Sequence, residues 1–167
     1  MQDRIHVQQE DPNTLDAKML MNLLSDTLES ITGDSGRSSF DVSDIGVPRS
    51  LFVIARNGDG APIGCGAIRP VDFHRAELKR MYAQSKGNGV GTAILSYLET
   101  QAQHLGYSAI WLETRVVNKE AVFFYEKRGI TEWKTMENIE IVKSVYVLKK
   151  FFLDSRKRTE HDGSRQK

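Results

Sequence analysis

Residues 86–91 read Lys-Gly-Asn-Gly-Val-Gly, and this stretch limits the fold more tightly than any other. Its three alternate glycines lie between a segment that reads as a strand, Glu77 to Ala83, and one that reads as a helix, Val90 to Leu105. Glycine has no Cβ, so the backbone can turn left-handed and approach a ligand closely. A helix starting directly after such a turn leaves its first N–H groups unpaired. Together with the helix dipole, those groups favour a phosphate. A tight turn with no ligand uses the same residues, so the turn alone leaves both readings open. The flanking strand and well-formed helix favour the cradle.

The remaining elements arrange themselves around this turn. Arg4 to Gln9 alternates weakly, as a short first strand does. Asp11-Pro12 reads as a helix start, with Asp11 as the N-cap and Pro12 in the first turn. Leu15, Met19, Leu20, Leu23, Leu24, Leu28 and Ile31 then fall at spacings of three and four. They predict one apolar stripe that stops at Gly33. Residues 33–49 are rich in Gly, Ser and Asp and read as a loop with room for a helical turn. Leu51 to Arg56 and Ile63 to Arg69 read as a hairpin around Asn57-Gly58-Asp59-Gly60. In the third strand, Glu77 to Ala83, Leu78, Arg80 and Tyr82 alternate with Glu77, Lys79 and Met81.

In the helix after the glycines, Val90, Ile94, Tyr97, Leu98, Ala102 and Leu105 share a face, and His104 with Gly106 closes the end. Ser108 to Glu113 reads as an apolar strand. Asn118 caps a further helix that buries Ala121, Phe124 and Tyr125 and ends at Gly129. Ser144 to Lys150 alternates as a last strand. Residues 1–153 thus form one domain, and 154–167 carry no large apolar side chain and read as a mobile polar tail. The order of elements predicts an α/β or α+β sheet with helices packed on it.

Composition removes several function classes. The 167 residues hold 23 Lys plus Arg against 22 Asp plus Glu, too even for a dedicated DNA binder. Arg156-Lys157-Arg158 reads as part of the solvated tail and not as a nucleic-acid motif. The single cysteine, Cys65, excludes an internal disulfide framework and reads as a small core residue. The four histidines show no metal-ligand spacing, which predicts no metal. No apolar run approaches the roughly 20 residues of a membrane helix, and the N-terminus lacks the apolar core of a signal peptide. A soluble, cytoplasmic protein with no membrane or nucleic-acid partner is the expectation.

Two phosphate-binding patterns fail on detail. No Gly-x-x-x-x-Gly-Lys-Ser/Thr string occurs. The dinucleotide pattern Gly-x-Gly-x-x-Gly meets Thr92 when started at Gly87 and Ile94 when started at Gly89. The preceding strand, Glu77-Leu-Lys-Arg-Met-Tyr, is also too charged for the buried centre of a parallel sheet. The residues after Glu113 are too few for a second half-fold.

At these residues the chain resembles the GNAT acetyltransferases, over about residues 50–150 and most strongly over 77–129. Lys86-Gly-Asn-Gly89-Val-Gly91 is similar to the family's Gln/Arg-x-x-Gly-x-Gly/Ala signature, with Lys86 in place of Gln/Arg. The shifted frame Gln84-x-x-Gly87-x-Gly89 also matches. Asn118-Lys-Glu-Ala-Val-Phe-Phe-Tyr125-Glu-Lys-Arg-Gly129 resembles the family's Asn-x-x-Ala…Tyr…Gly helix. The resemblance implies a single domain with a mixed, mostly antiparallel twisted sheet of six to seven strands, flanked by about four helices. It implies acetyl-coenzyme A as acyl-donor cosubstrate. The expected coenzyme contacts are Met81, Tyr82 and Ala83 through their backbone, then Lys86, Gly87, Asn88, Gly89, Val90, Gly91 and Thr92 at the diphosphate, with Asn118 and Tyr125 nearer the thioester.

The chemistry of such a reaction assigns further roles. An alkyl ammonium with a pKa near 10.4 is about one part in a thousand neutral at pH 7, so supplying free amine costs roughly 4 kcal/mol unless a base helps. Holding amine and thioester together supplies much of the remaining rate. The leaving thiolate benefits from a proton, and Tyr125, where the family's tyrosine lies near the sulfur, is the candidate general acid; a half-buried core tyrosine is the alternative. Glu77, where some histone-modifying relatives carry a catalytic glutamate, is the candidate base. Its alternatives are a strand carboxylate paired with Lys79 or Arg80, or a water chain in its place.

The leading expectation is an N-acetyltransferase acting by direct attack in a ternary complex, its acceptor a small or amino-acid-like primary amine. A non-catalytic acetyl-coenzyme A sensor or partner-binding module on the same fold is the second, and an NAD-dependent oxidoreductase the third. The 33–49 and 131–143 segments would border the acceptor, where Asp41, Asp44, Glu137 and Glu140 are scattered acids. A sheet with free edges permits a homodimer.

Overall fold

The computed structural model describes residues 4–132 and 145–152. The tail from 154 and the acids Glu137 and Glu140 lie outside the described residues. Seven strands form one sheet in the order β1-β2-β3-β4-β5-β7-β6. They are β1 His6–Gln9, β2 Leu51–Arg56, β3 Pro62–Pro70, β4 Arg75–Ala83, β5 Ala109–Arg115, β6 Thr131–Glu132 and β7 Val145–Phe151. Three α-helices lie among the described residues: α1 Leu15–Thr32, α2 Val90–His104 and α3 Lys119–Glu126. Two 3-10 turns, Arg37–Ser39 and Val42–Ile45, occupy the expected loop. All strand pairs are antiparallel except β4 with β5.

Period-two alternation divides the sheet into two faces. Leu51, Val53, Ile68, Ala76 and Leu78 turn toward α2, where they meet Val90, Ile94, Leu95 and Leu98. Phe52, Ile54, Cys65 and Ala67 turn the other way, toward Ala17, Leu20 and Met21 of α1. Contact with α2 is very close at β3. A Cβ on Gly66 would lie 2.7 Å from Met81 Sδ and 2.8 Å from Ile94, and one on Gly64 would lie 2.7 Å from the Tyr82 carbonyl oxygen. Glycine at both positions lets the helix rest against the strand backbone.

Three expectations need correction. The N-cap of α1 is Thr14, not Asp11: the Thr14 hydroxyl accepts from the Ala17 N–H at 3.2 Å. Asp11 instead closes the preceding turn by accepting from the Asn13 N–H at 2.8 Å, and Pro12 sits in that turn ahead of the helix. The buried face of α1 is also rotated from the predicted stripe. Ala17, Leu20, Met21, Leu24 and Ser25 are buried, whereas Leu15 is 85% exposed and Met19 and Ile31 are also exposed.

The third correction explains the rotation. The alternation expected along β4 breaks at Arg80. β3 advances two residues from Cys65 to Ala67 while their partners on β4 run from Tyr82 to Lys79, so β4 holds one extra residue. Arg80 takes φ 53° there and turns toward α1, not to the α2 side with Leu78. Its guanidinium donates to the Met21 carbonyl at 2.7 Å and the Ser25 hydroxyl at 2.6 Å. Met21 and Ser25 lie on the buried face of α1, where they take up one terminal nitrogen of this cation, while its Nε has no acceptor among the described residues.

Candidate active site

The bulge at Arg80 comes just after β4 and β5 lose contact. Their parallel pairing runs from Arg75 with Ala109 to Glu77 with Trp111 and stops. Beyond it β4 keeps its bonds to β3, and β5 keeps its bonds to β7 as far as Arg115. Facing edges of Leu78–Ala83 and Leu112–Arg115 therefore carry backbone donors and acceptors that no neighbouring strand takes up. A wedge opens within the sheet, wide enough for an extended chain to pair with either edge.

The glycine turn sits at the mouth of the wedge, on the α2 side. Gly87 and Gly89 have φ 81° and 78°, and neither has an atom within 4 Å of where a Cβ would stand, so the turn faces open space. Gly89 is the N-cap of α2, and no side chain caps that helix. The N–H groups of Val90, Gly91 and Thr92 have no protein acceptor among the described residues. Gly91 has a different reason for being glycine: a Cβ there would stand 3.1 Å from the Phe124 ring of α3. Fixed amides beside an unfilled space fit a diphosphate.

Two cations border the turn. Lys86 forms an exposed ion pair with Glu120, the second residue of α3. Arg128, which the sequence reading passed over, stacks 3.7 Å above the Phe124 ring and donates through Nε to the Thr92 hydroxyl at 3.1 Å. The side chain of Asn118 accepts from the Ala121 N–H at 3.4 Å and caps α3 as expected.

Tyr125 is buried with the α2-side core, and its hydroxyl has no hydrogen-bond partner among the described residues. Burial alone holds the phenol well above its ordinary value. Glu77 lies at the last paired rung before the wedge, on the α1 side. It accepts from Arg69 Nε at 2.9 Å and faces Lys79 Nζ at 3.3 Å, so its cationic neighbours are Arg69 and Lys79 rather than Arg80. Arg69 also pairs with Asp44, and Asp41 caps the turn at Val42–Ile45, so both acids serve the local fold. Cys65 is fully buried and donates to the Arg80 carbonyl at 3.3 Å; burial pushes its thiol up to about 12. It carries no nucleophilic character there.

On the α1 side the wedge opens into a cleft of about 190 Å³. Thr32 and Asp34 from the end of α1 form one wall, Lys79 of β4 the second, and Glu113 and Arg115 of β5 with Asn118 the third. The meeting of Asp34, Lys79 and the Glu113–Arg115 stretch in one cleft was not legible, because these three segments lie far apart in sequence. Among the described residues, no group of three or more His, Cys, Asp or Glu could hold a metal ion, and no helix is long and apolar enough to cross a membrane.

Comparison with known proteins places this arrangement. An IAA acetyltransferase of Azospirillum brasilense is 33% identical over 95 residues, covering 55% of this chain and 61% of that protein. The chain spans between 46% and 64% of the length of the curated relatives it matches. An acetyltransferase from Streptococcus agalactiae superposes with a TM-score of 0.71 at 16% identity, over 89% of this chain and 98% of that one. An aminoglycoside 6'-N-acetyltransferase complexed with coenzyme A does so with a TM-score of 0.63 at 19% identity, over 89% and 98%. Both solved structures share the fold. The profile of the acetyltransferase (GNAT) family matches residues 17–130, more than half of the sequence. The chain belongs to the GNAT acetyltransferase family.

Proposed function

We propose that this protein is an acetyl-coenzyme A-dependent N-acetyltransferase that moves acetyl to a primary amine of a small acceptor by direct attack in a ternary complex. The observation that carries this reading is the separation of β4 from β5 beside an uncapped, glycine-led helix N-terminus. The coenzyme brings the activated acyl group as a thioester. The amides of Gly87 to Thr92 hold its diphosphate, with Arg128 and Lys86 lending positive charge at the rim. The open edge of Met81, Tyr82 and Ala83 pairs with its extended arm, and Asn118 borders the cleft where the arm ends.

Acceptor and donor then meet inside the wedge from opposite sides of the sheet, which fixes their approach before reaction. Tyr125 donates its hydroxyl proton toward the departing sulfur. A thiol has an ordinary pKa of about 8.5. Because burial holds the phenol far above that, the hydroxyl hydrogen-bonds the sulfur as the C–S bond breaks, and the proton it gives is made up by the one the acceptor nitrogen loses on forming the C–N bond, so amide and thiol result and the phenol is restored. Glu77, fixed by Arg69, is the proposed base for the incoming ammonium.

Calorimetry on the full chain tests the first half of this reading: acetyl-coenzyme A should bind and NAD should not. Thiol release on presenting a panel of primary amines tests the second half. Binding without thiol release from any amine would leave a sensor of the coenzyme and remove the transferase. No binding would remove both.

A further inference from the structure

The cleft on the α1 side of the wedge holds four ionisable groups, and they are not equivalent. Lys79 is occupied by Glu77 at 3.3 Å. The Asp34 carboxylate is occupied by the Gly36 N–H at 2.8 Å. Glu113 and Arg115 remain. They are two residues apart on β5 and therefore share a face, yet they form no ion pair with each other or with any other described residue. Arg115 Nε, like Arg80 Nε and Trp111 Nε1, is buried without an acceptor among the described residues; unlike Arg80, whose terminal nitrogen reaches Met21 and Ser25, Arg115 has no partner for any of its guanidinium nitrogens there.

We infer that this cleft receives a zwitterionic acceptor, a small amino acid or an amine carrying one carboxylate, with Arg115 taking the carboxylate and Glu113 facing the ammonium. The inference rests on the acetyl-transfer reading above and gives it a substrate class. An unpaired guanidinium suits a carboxylate because its planar donors match the two oxygens. An unpaired carboxylate two residues away suits an ammonium at short separation from it. A neutral-tailed amine would use Glu113 and leave Arg115 unsatisfied. The space points the same way: about 190 Å³ is below the roughly 300–1,000 Å³ of sites for drug-sized ligands. A single amino acid is of that scale, and a many-ringed polyamine is not.

The test uses the full chain and a panel of L-amino acids with glycine and β-alanine, each beside its own carboxamide, which keeps the amine and removes the negative charge. Binding is read by calorimetry on protein saturated with coenzyme A, and transfer by thiol release with acetyl-coenzyme A. At least one acid should exceed its carboxamide by tenfold or more in kcat/KM and in affinity. Arg115→Gln should erase that preference, raising KM for the acid to that of the carboxamide while kcat moves less than about threefold. Glu113→Gln should weaken acid and carboxamide alike. Unchanged coenzyme affinity and circular dichroism in both variants establish that they fold. Carboxamides used as well as acids, or a preference that survives Arg115→Gln, would overturn the inference and leave the transfer reading standing. Amino acids that bind through Arg115 with no thiol released would do the reverse. Failure of every probe to bind or react overturns the inference together with the amine half of that reading.

Discussion

Single side chains carry the clearest consequences of burial in this protein. Tyr125 has its phenol in the α2-side core, and on its proposed role as proton donor its loss should be felt in the reaction rather than in coenzyme capture. Tyr125→Phe should lower kcat by about 10²-fold, the low end for a lost proton donor, while acetyl-coenzyme A affinity stays within about twofold. Steady-state kinetics beside calorimetry check this. Glu77→Gln should lower kcat/KM and alter its dependence on pH if Glu77 takes the amine proton; a profile identical to wild type would assign that work to water. Cys65 offers a pH test of the fold itself. Its thiol titrates near 9 when unfolded and about 12 when folded, so above pH 9 the unfolded chain has lost a proton that the native one keeps. Stability should thus fall with rising pH by an extra ~1.4 kcal/mol per unit up to about 12, and be unaffected below 9. Urea melts at pH 8, 9, 10 and 11 should show a shallower alkaline decline for Cys65→Ala than for wild type. Cys65 was readable as a core residue from its chemistry alone. Glu113 and Arg115 were not readable as partners in a site, since nothing near them in sequence names their neighbours.

At the scale of elements, local signals fixed the ends and tertiary contacts fixed the faces. Asn118 and the glycines at 87 and 89 were legible because a cap and a left-handed turn depend on a few consecutive residues. Thr14 was missed because Asp11-Pro12 imitates a helix start, and only the chain's entry angle shows that those residues close a turn first. The α1 stripe was misplaced for a longer-range reason. Arg80 enters from a bulge in β4, and the helix turns Met21 and Ser25 to meet it, leaving Leu15 and Met19 outside. No periodicity within α1 encodes the arrival of that cation. The closeness of α2 to β3 was equally silent, since glycine in a strand reads as weakness until the helix is seen lying on it. Gly66→Ala should therefore destabilise by about 1–3 kcal/mol, because Ile94 and Leu98 must move away. Denaturant titration would show it as a midpoint below that of the wild-type protein with the slope unchanged.

For the molecule as a whole, the wedge between β4 and β5 is a gap that a bound coenzyme would fill, joining both halves of the sheet. A ligand that binds only the folded state stabilises it by about 2.7 kcal/mol at a hundred times its Kd. For a domain of this length that corresponds to a rise in Tm of roughly 5–10 °C. Thermal melts should show such a rise with acetyl-coenzyme A and none with NAD. By itself the sequence determined the order of strands and helices, the glycine-led turn and the capped α3, because each is written in neighbouring residues and in the period of their apolar positions. Tertiary structure alone decided that β4 parts from β5 after Glu77, that Arg80 turns toward α1, and that Glu113 and Arg115 face a common cleft. Those outcomes depend on which distant backbones satisfy one another's hydrogen bonds and charges, and chain order does not state that.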